Sequence, residues 1–564
     1  MRDILLRVVV LVSVTVLAVA TTNAVIIPDD LRITWQGNVG VPGGIPNRTT
    51  IFTTLNPGVT ASDINAALAA CPSNQVVFLS AGVYNINELI YFDKHAGVTL
   101  RGAGPGLTII SNTVTGVGAS VMSNGSGKSG ATPITGGYTK GSTSVTLSDA
   151  SGLNVNDIVI LSQDDKAGLV FAKTTGQHLY QRVIVTAKSG NTISFNPPLV
   201  TTFEAVLNPL CTRQNETGLR FSGIEDMTMT APNVKNIIWF DSTYACWARN
   251  VEFVGCDEAS IWITSSLRFE MRQCHGRDTR STNQAGYGIY LYKQTSSCLV
   301  EDNIFSGLFA GVMITGGTGH AILYNYSTDS YVPSFSHQVG NMNMNHGPHG
   351  MMTLWEGNFT EQFQNDGYHG STSHQTLFRN VAHGLHPSKN GNRKMIDLCR
   401  FSYYQNIVGN VLGNPSWSSD PECQYEMVGQ PRYTAVSVIY RLGYPNMGNN
   451  SLTTSIAVPG EPASYPDVQV ENTLLRHGNY DYHNEEIIWD AGISDRDIPP
   501  SLYYASKPTY FQGLPWPPVN PMAPNTTNPT NIPAGYRFFN QGGDPPGGDP
   551  RPPSPPSGVK VIVE

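Results

Sequence analysis

The 564-residue chain carries 34 Lys and Arg against 42 Asp and Glu, a formal net charge of −8, and only 13% of its residues are charged. It has no basic block of the kind that follows a phosphate backbone, so nucleic acid is excluded as a partner. Length by itself would suggest several domains, but a repeat architecture lets one core grow along an axis, so the repeats must be sought first.

The first 24 residues read as a secretory signal peptide. Arg2 and Arg7 give a cationic start, Val8 to Ala20 an apolar run, and Thr22-Asn23-Ala24 small residues around a cleavage point, so the mature chain is expected from Val25. The apolar run is too short to span ~30 Å of hydrocarbon, so the protein is expected to be secreted, with no membrane partner after cleavage. Cys71, Cys211, Cys246, Cys256, Cys274, Cys298, Cys399 and Cys423 form an even set without C-x-x-C spacing, which predicts structural disulfides in an exported chain.

A short helix is predicted where Ser62 can cap a run with Ile64, Ala67, Leu68 and Cys71 on one face, followed by the strand-like VVFLSAGVYNI from Val76. RGAGPG at Arg101 precedes the strand LTIIS and no helix, which excludes a dinucleotide loop. From about residue 130 to 200, hairpin-like strands SVTL, DIVILS, VIVTA and TISFN predict a small β insertion.

Between Asp226 and Asn410 one segment shape recurs: CWARNVEF, RFEMRQC, CLVEDNIF, AILYNYS, TLWEGNFT, TLFRNVA and NIVGNVLG. Aligned on the amide, these place Asn250, Gln273, Asn303, Asn325, Asn358, Asn380 and Asn410 at steps of 23, 30, 22, 33, 22 and 30 residues. A minimum near 22 with insertions on top is the signature of a solenoid whose loops vary while its strands keep register. Stacked coils bring equivalent residues ~4.8 Å apart, so a buried Asn can bond backbone and the Asn above and below it. A solenoid is expected over 25–500. The proline-rich, aromatic stretch 501–541 is expected to pack along it as a strap, and 542–564, dominated by Pro and Gly, to form an extended tail.

Seven of the thirteen histidines, His337, His346, His349, His369, His374, His383 and His386, fall in one short stretch. The coil from Asn303 to Asn325 aligns without a gap on that from Asn358 to Asn380, and apolar AGVMIT (310–315) becomes NDGYHG (365–370). Asp366, Tyr368 and His369 thus replace an apolar strand. Unpaired buried polar groups cost ~1–3 kcal/mol, so this coil should face something polar. Counting from each Asn places His346 and Asp397 to Arg400 beside it. The same parity turns Ile289, Leu291, Ile396 and Leu398 inward, leaving Tyr290, Tyr292, Asn345, His369 and Asp397 outward. Parity also turns Asp366 inward unless a bulge re-aims it. Glu301 and Glu356 share one repeat position two coils apart, ~10 Å, wide for a pair of inverting carboxylates. HGPHG at His346 is not a zinc-protease H-E-x-x-H motif.

The asparagine ladder, the ~22-residue coil and the capping helix resemble the pectate and pectin lyase superfamily over roughly residues 60–410. In its GVPGGIPNRT, WEGN and YHG segments the chain also resembles a group of secreted bacterial β-helix proteins. The resemblance implies an all-β fold, a right-handed parallel β-helix solenoid whose N-terminal end the helix caps. It also implies an extracellular polysaccharide as partner. The Asp pair and Gly-His-Gly of the polygalacturonase-like hydrolases are missing, as are the R-x-P-x-x-R and vWiDH-like segments of the calcium-dependent lyases. The leading expectation is a polysaccharide lyase with His369 or Tyr368 as base, His346, His349 or Arg400 neutralising a uronate carboxylate, and Asp366 or Asp397 orienting an imidazole or binding Ca2+. Tyr290, Tyr292, Asn345, Asp397, Glu356 and His374 are expected to hold substrate. A glycoside hydrolase using two of Asp366, Asp397, Glu356 and Glu301, and a glycan-binding protein without catalysis, are the alternatives.

Overall fold

The computed structural model describes residues 26–540 apart from 93–96, 124, 126, 175, 216–217, 283–284, 331–339, 387–392, 421, 429–436 and 445–466. The expected signal peptide, the tail 542–564 and His337 lie outside the described residues. No helix among them is long and apolar enough to cross a membrane.

Several coils carry two short strands separated by a two-residue corner whose first residue is left-handed, then a third strand. One coil, for example, holds Glu270–Arg272, His275–Arg277 and Tyr287–Tyr292. Coil stacks on coil in parallel register, as when Tyr290 pairs Trp262 on one side and Met313 on the other. Parallel crossovers within one sheet are right-handed in nearly all proteins, and the architecture is a right-handed parallel β-helix. The third strands form one sheet of eleven described strands, from Ile90–Phe92 to Cys423–Val428. Alternation decides its faces: Ile263, Leu291 and Ile314 fill the interior while Trp262 and Tyr292 look out.

The corner between the first two strands explains the repeated amide. Asn303, Asn325, Asn358, Asn380 and Asn410 form one buried column, each Nδ2 donating to the next Oδ1 at 2.9–3.0 Å. Each Oδ1 also accepts a backbone N–H, and each Nδ2 donates to a carbonyl of the preceding coil, such as Asn358 to Ile322. The column runs one coil further than the repeats suggest, to Asn479, 69 residues beyond Asn410. At the other end, Asn250 and Gln273 do not join it. They occupy the left-handed position one residue earlier, and Cys274 takes the place the amide would have, its N–H donating to Asn303. Burial of Asn325 and Asn358 removes both as glycan acceptors.

Helix Ala61–Ala70 buries Ala61, Ile64 and Leu68 against the first coils. Its cap is Thr60, not Ser62, in a capping box with Asp63. The insertion is larger than expected, a closed antiparallel barrel. Its described strands are Lys128–Gly136, Ser144–Leu147, Ile158–Gln163, Leu179–Ser189, Thr192–Asn196 and Leu210–Gln214. The disulfide expectation is overturned, since all eight cysteines are free and buried. Cys246 and Cys298 share a repeat position but on coils two apart, ~10 Å, beyond the ~7 Å Cα separation that a disulfide tolerates. They pack as small apolar residues.

His320 lies fully buried, its Nδ1 accepting the Cys298 N–H at 3.1 Å, and burial pushes its pKa down to about 3. The unfolded imidazole takes up a proton below its ordinary 6.5 and the folded one does not until about 3. This contribution to stability is therefore whole above 6.5 and is lost as pH falls toward 3, at ~1.4 kcal/mol per pH unit. Urea unfolding of His320→Gln across that window should show a slope of stability against pH lower by about that amount than in the wild type.

Candidate functional site

The outward face of the eleven-stranded sheet and the barrel enclose a cleft of about 690 Å³. One wall is aromatic. Trp262 and Tyr290 are register partners on adjacent strands with ring centroids 4.5 Å apart, and Tyr292 lies 4.9 Å from Trp262. The Tyr290 hydroxyl bonds Thr315 Oγ1 at 2.8 Å, and Lys293 Nζ sits 4.9 Å from the Tyr292 ring.

Two coils on, strand Met342–Gly347 carries a bulge. Asn343 pairs Gln364 and Asn345 pairs Asn365, so Met344 is the extra residue. The bulge reverses the expected parity. Asn345 turns inward and is fully buried, its Nδ2 bonding Gly370 O, while His346 turns to the cleft. The carboxylate of Asp366 then reaches His346 Nδ1 at 2.8 Å and accepts from Asn343 Nδ2 and the Tyr368 N–H. His346 Nε2 has no protein partner among the described residues. The His346 ring stacks with Tyr368 at 5.6 Å and meets His369 edge to face at 4.9 Å. His369 is exposed to the cleft, and burial of its ring edge, with His346 and Lys173 beside it, pushes its pKa down to about 4.

The barrel supplies the other wall. Residues 169–173 dock on the coil of Asp366 through an Ala172–Gly370 bridge, the Ser371 N–H on Phe171 O at 2.8 Å, and Phe171 stacked 4.1 Å from Phe401. This places Lys173 Nζ 4.1 Å from the Tyr368 ring, and Thr174, Gln177, His178 and Tyr180 along the cleft.

His346, Asp366, Tyr368 and His369 are thus brought together, with Tyr290 and Tyr292 along the same cleft. Other expected site residues are not. His349 is fully buried between Ser371 Oγ and Ser373 Oγ, and burial pushes its pKa to about 3. His374 borders a separate small sheet and stacks on Tyr404. Arg400 is buried over the Phe401 ring. Asp397 is buried in an ion pair with Arg441, Oδ1 to Nε 2.6 Å. With Asp366 engaged by an imidazole and Asp397 by a guanidinium, neither suits calcium. No group of three or more His, Cys, Asp or Glu among the described residues could hold a metal ion.

Glu356 and Glu301 are corrected to a structural role on another face. Glu356 accepts from Tyr324 and Ser501 hydroxyls and the Leu502 N–H, and Glu301 from the hydroxyls of Tyr504 and Tyr510. Together they fasten residues 501–540 to the solenoid. Glu356→Ala leaves those hydroxyls and an N–H unpaired, so it should lower stability by ~2–4 kcal/mol. Limited proteolysis should then cut near Leu502, with turnover of the folded fraction unchanged.

Lys173, His178, Trp262 and Lys293 were not anticipated. Trp262 was open to detection, since ASIWIT aligns on YGIYLY at the position of Tyr290. The barrel residues were not, because no repeat period says where an insertion docks.

No protein-family model matches the sequence, and no curated protein matches it. Solved structures do. The tailspike gp61 of Pseudomonas phage phi297 is 12% identical, with 67% of this chain and 72% of that one covered and a TM-score of 0.43. An alginate lyase from Paenibacillus is 12% identical over 70% and 99% of the two chains, TM-score 0.33. A polygalacturonase from Erwinia carotovora is 12% identical over 71% and 96%, TM-score 0.35. Within this β-helix the cleft lies on the outer face of one sheet, and the inserted barrel walls it.

Proposed function

We propose that this protein is a secreted polysaccharide lyase that cleaves a uronic-acid-containing polymer by β-elimination in the cleft between barrel and β-helix. The observation that carries the reading is the Asp366–His346 pair, its free Nε2 beside His369 at the end of an aromatic, lysine-bearing cleft. Asp366 on Nδ1 holds the neutral tautomer in which Nε2 is the proton acceptor. Lys173 and Lys293 would neutralise the uronate carboxylate, which acidifies the C–H beside it. His369, its pKa pushed down to about 4 chiefly by burial, stands beside His346 as an uncharged neighbour above that pH. Trp262 and Tyr292 offer faces for sugar rings, with the buried Tyr290 packed against both.

A hydrolase needs two carboxylates across the scissile bond, ~5–9.5 Å apart. Among the described residues lining the cleft, Glu258 alone carries one. The test is incubation with a panel of uronic-acid polymers. Ultraviolet absorbance of the conjugated double bond of an unsaturated uronate is expected. Reducing ends without that absorbance would select hydrolysis, and binding without cleavage would leave a glycan-binding protein.

A further inference from the structure

The elimination proposed above produces an oxyanion on the departing sugar, and the barrel wall of the cleft carries a further imidazole. We propose that His178, on the barrel wall, is the acid that protonates the leaving oxygen. This deepens the lyase reading and rests on it.

His178 belongs to the segment that leads into barrel strand Leu179–Ser189 and lines the same cleft as His346 and His369. Asp165 grips it twice: Oδ1 accepts the His178 backbone N–H at 2.8 Å and Oδ2 meets ring Nδ1 at 2.7 Å. Both side chains are 20% exposed, and of the two His178 lines the cleft. Nε2 has only a 3.4 Å approach to the Thr174 hydroxyl. The arrangement repeats that of His346 and Asp366, so the barrel and the β-helix each bring one carboxylate-held imidazole. The buried Tyr180 hydroxyl accepts the Gln294 N–H at 2.7 Å, and Lys173 lies over Tyr368.

The step balances. His346 Nε2 takes the proton from C5, the C5–H electron pair becomes the C4–C5 double bond, and the C4–O bond breaks with its pair on oxygen. His178 Nε2 delivers its proton to that oxygen. Solvent then reprotonates His178 and deprotonates His346.

The experiment compares a uronate polymer with a short synthetic uronide bearing fluoride at C4, which departs without a proton. His178→Gln should lose ~10²–10⁴ of turnover on the polymer and less than ~10-fold on the fluoride. His346→Ala should fail on both. Asp165→Asn, which keeps the imidazole, should show the same selective loss in weaker form and serves if His178→Gln does not fold. Full activity of His178→Gln on the polymer, or equal losses on both substrates, would overturn the assignment. A wild type that eliminates neither substrate would overturn the lyase reading itself, and with it this role.

Discussion

His346→Ala should lower kcat on the cleaved polymer by ~10²–10⁴ with KM and melting temperature little changed, because positioned base help is worth about that much. The ring sits at the cleft with 23% of its side chain exposed and takes no part in the interior column. Its removal therefore costs little packing. Asp366→Asn should lose nearly as much turnover. The amide can present its NH2 to Nδ1 and favour the tautomer with the proton on Nε2, where the base is needed. Asp366 also accepts from Asn343 and the Tyr368 N–H, so this variant should melt somewhat lower as well. Steady-state kinetics beside thermal melts of both variants separate the two effects. A His346→Ala protein at full rate would remove the pair from the chemistry.

Asn358→Ala should destabilise the folded protein by ~3–5 kcal/mol. Asn358 sits in mid-column, fully buried, and its amide closes four hydrogen bonds. It accepts from the Asn325 N–H and Nδ2 and donates to Ile322 O and Asn380 Oδ1. Alanine leaves those partners buried without water, at ~1–3 kcal/mol for each group that finds no substitute. The replacement also interrupts a chain in which each amide polarises the next. Denaturant unfolding should show a lower midpoint. Asn250→Ala, at the partly exposed left-handed position, should cost less, because it gives up one bond, to Asp226, and the tolerance of asparagine for a left-handed backbone.

The column and the alternation of strand faces were legible because both follow from spacing. A 22-residue step and a period of two place Asn303 to Asn410, Ile289 and Leu291 inward, and Tyr290 and Tyr292 outward. The gapless comparison of two coils also singled out Asp366, Tyr368 and His369, since three polar residues in place of an apolar strand demand a reason. Counting failed where geometry departs from period. The bulge at Met344 exchanged Asn345 with His346, and the 69-residue step hid Asn479. Glu356 pointed to substrate only because its true partner, Ser501, is 145 residues away. The eight cysteines looked like a disulfide set because parity of number says nothing of where the coils place them. The barrel wall, with Lys173 and His178, carries no repeat and docks through Ala172 and Gly370, a contact no local pattern encodes.

The most direct measurement is a crystal structure of the His346→Ala protein with an oligouronate bound. The predicted result is a sugar chain in the cleft between barrel and sheet, a ring against Trp262 or Tyr292, and a carboxylate within ion-pair distance of Lys173 or Lys293. An oligouronate ordered on another face of the solenoid, with this cleft holding solvent, would contradict it.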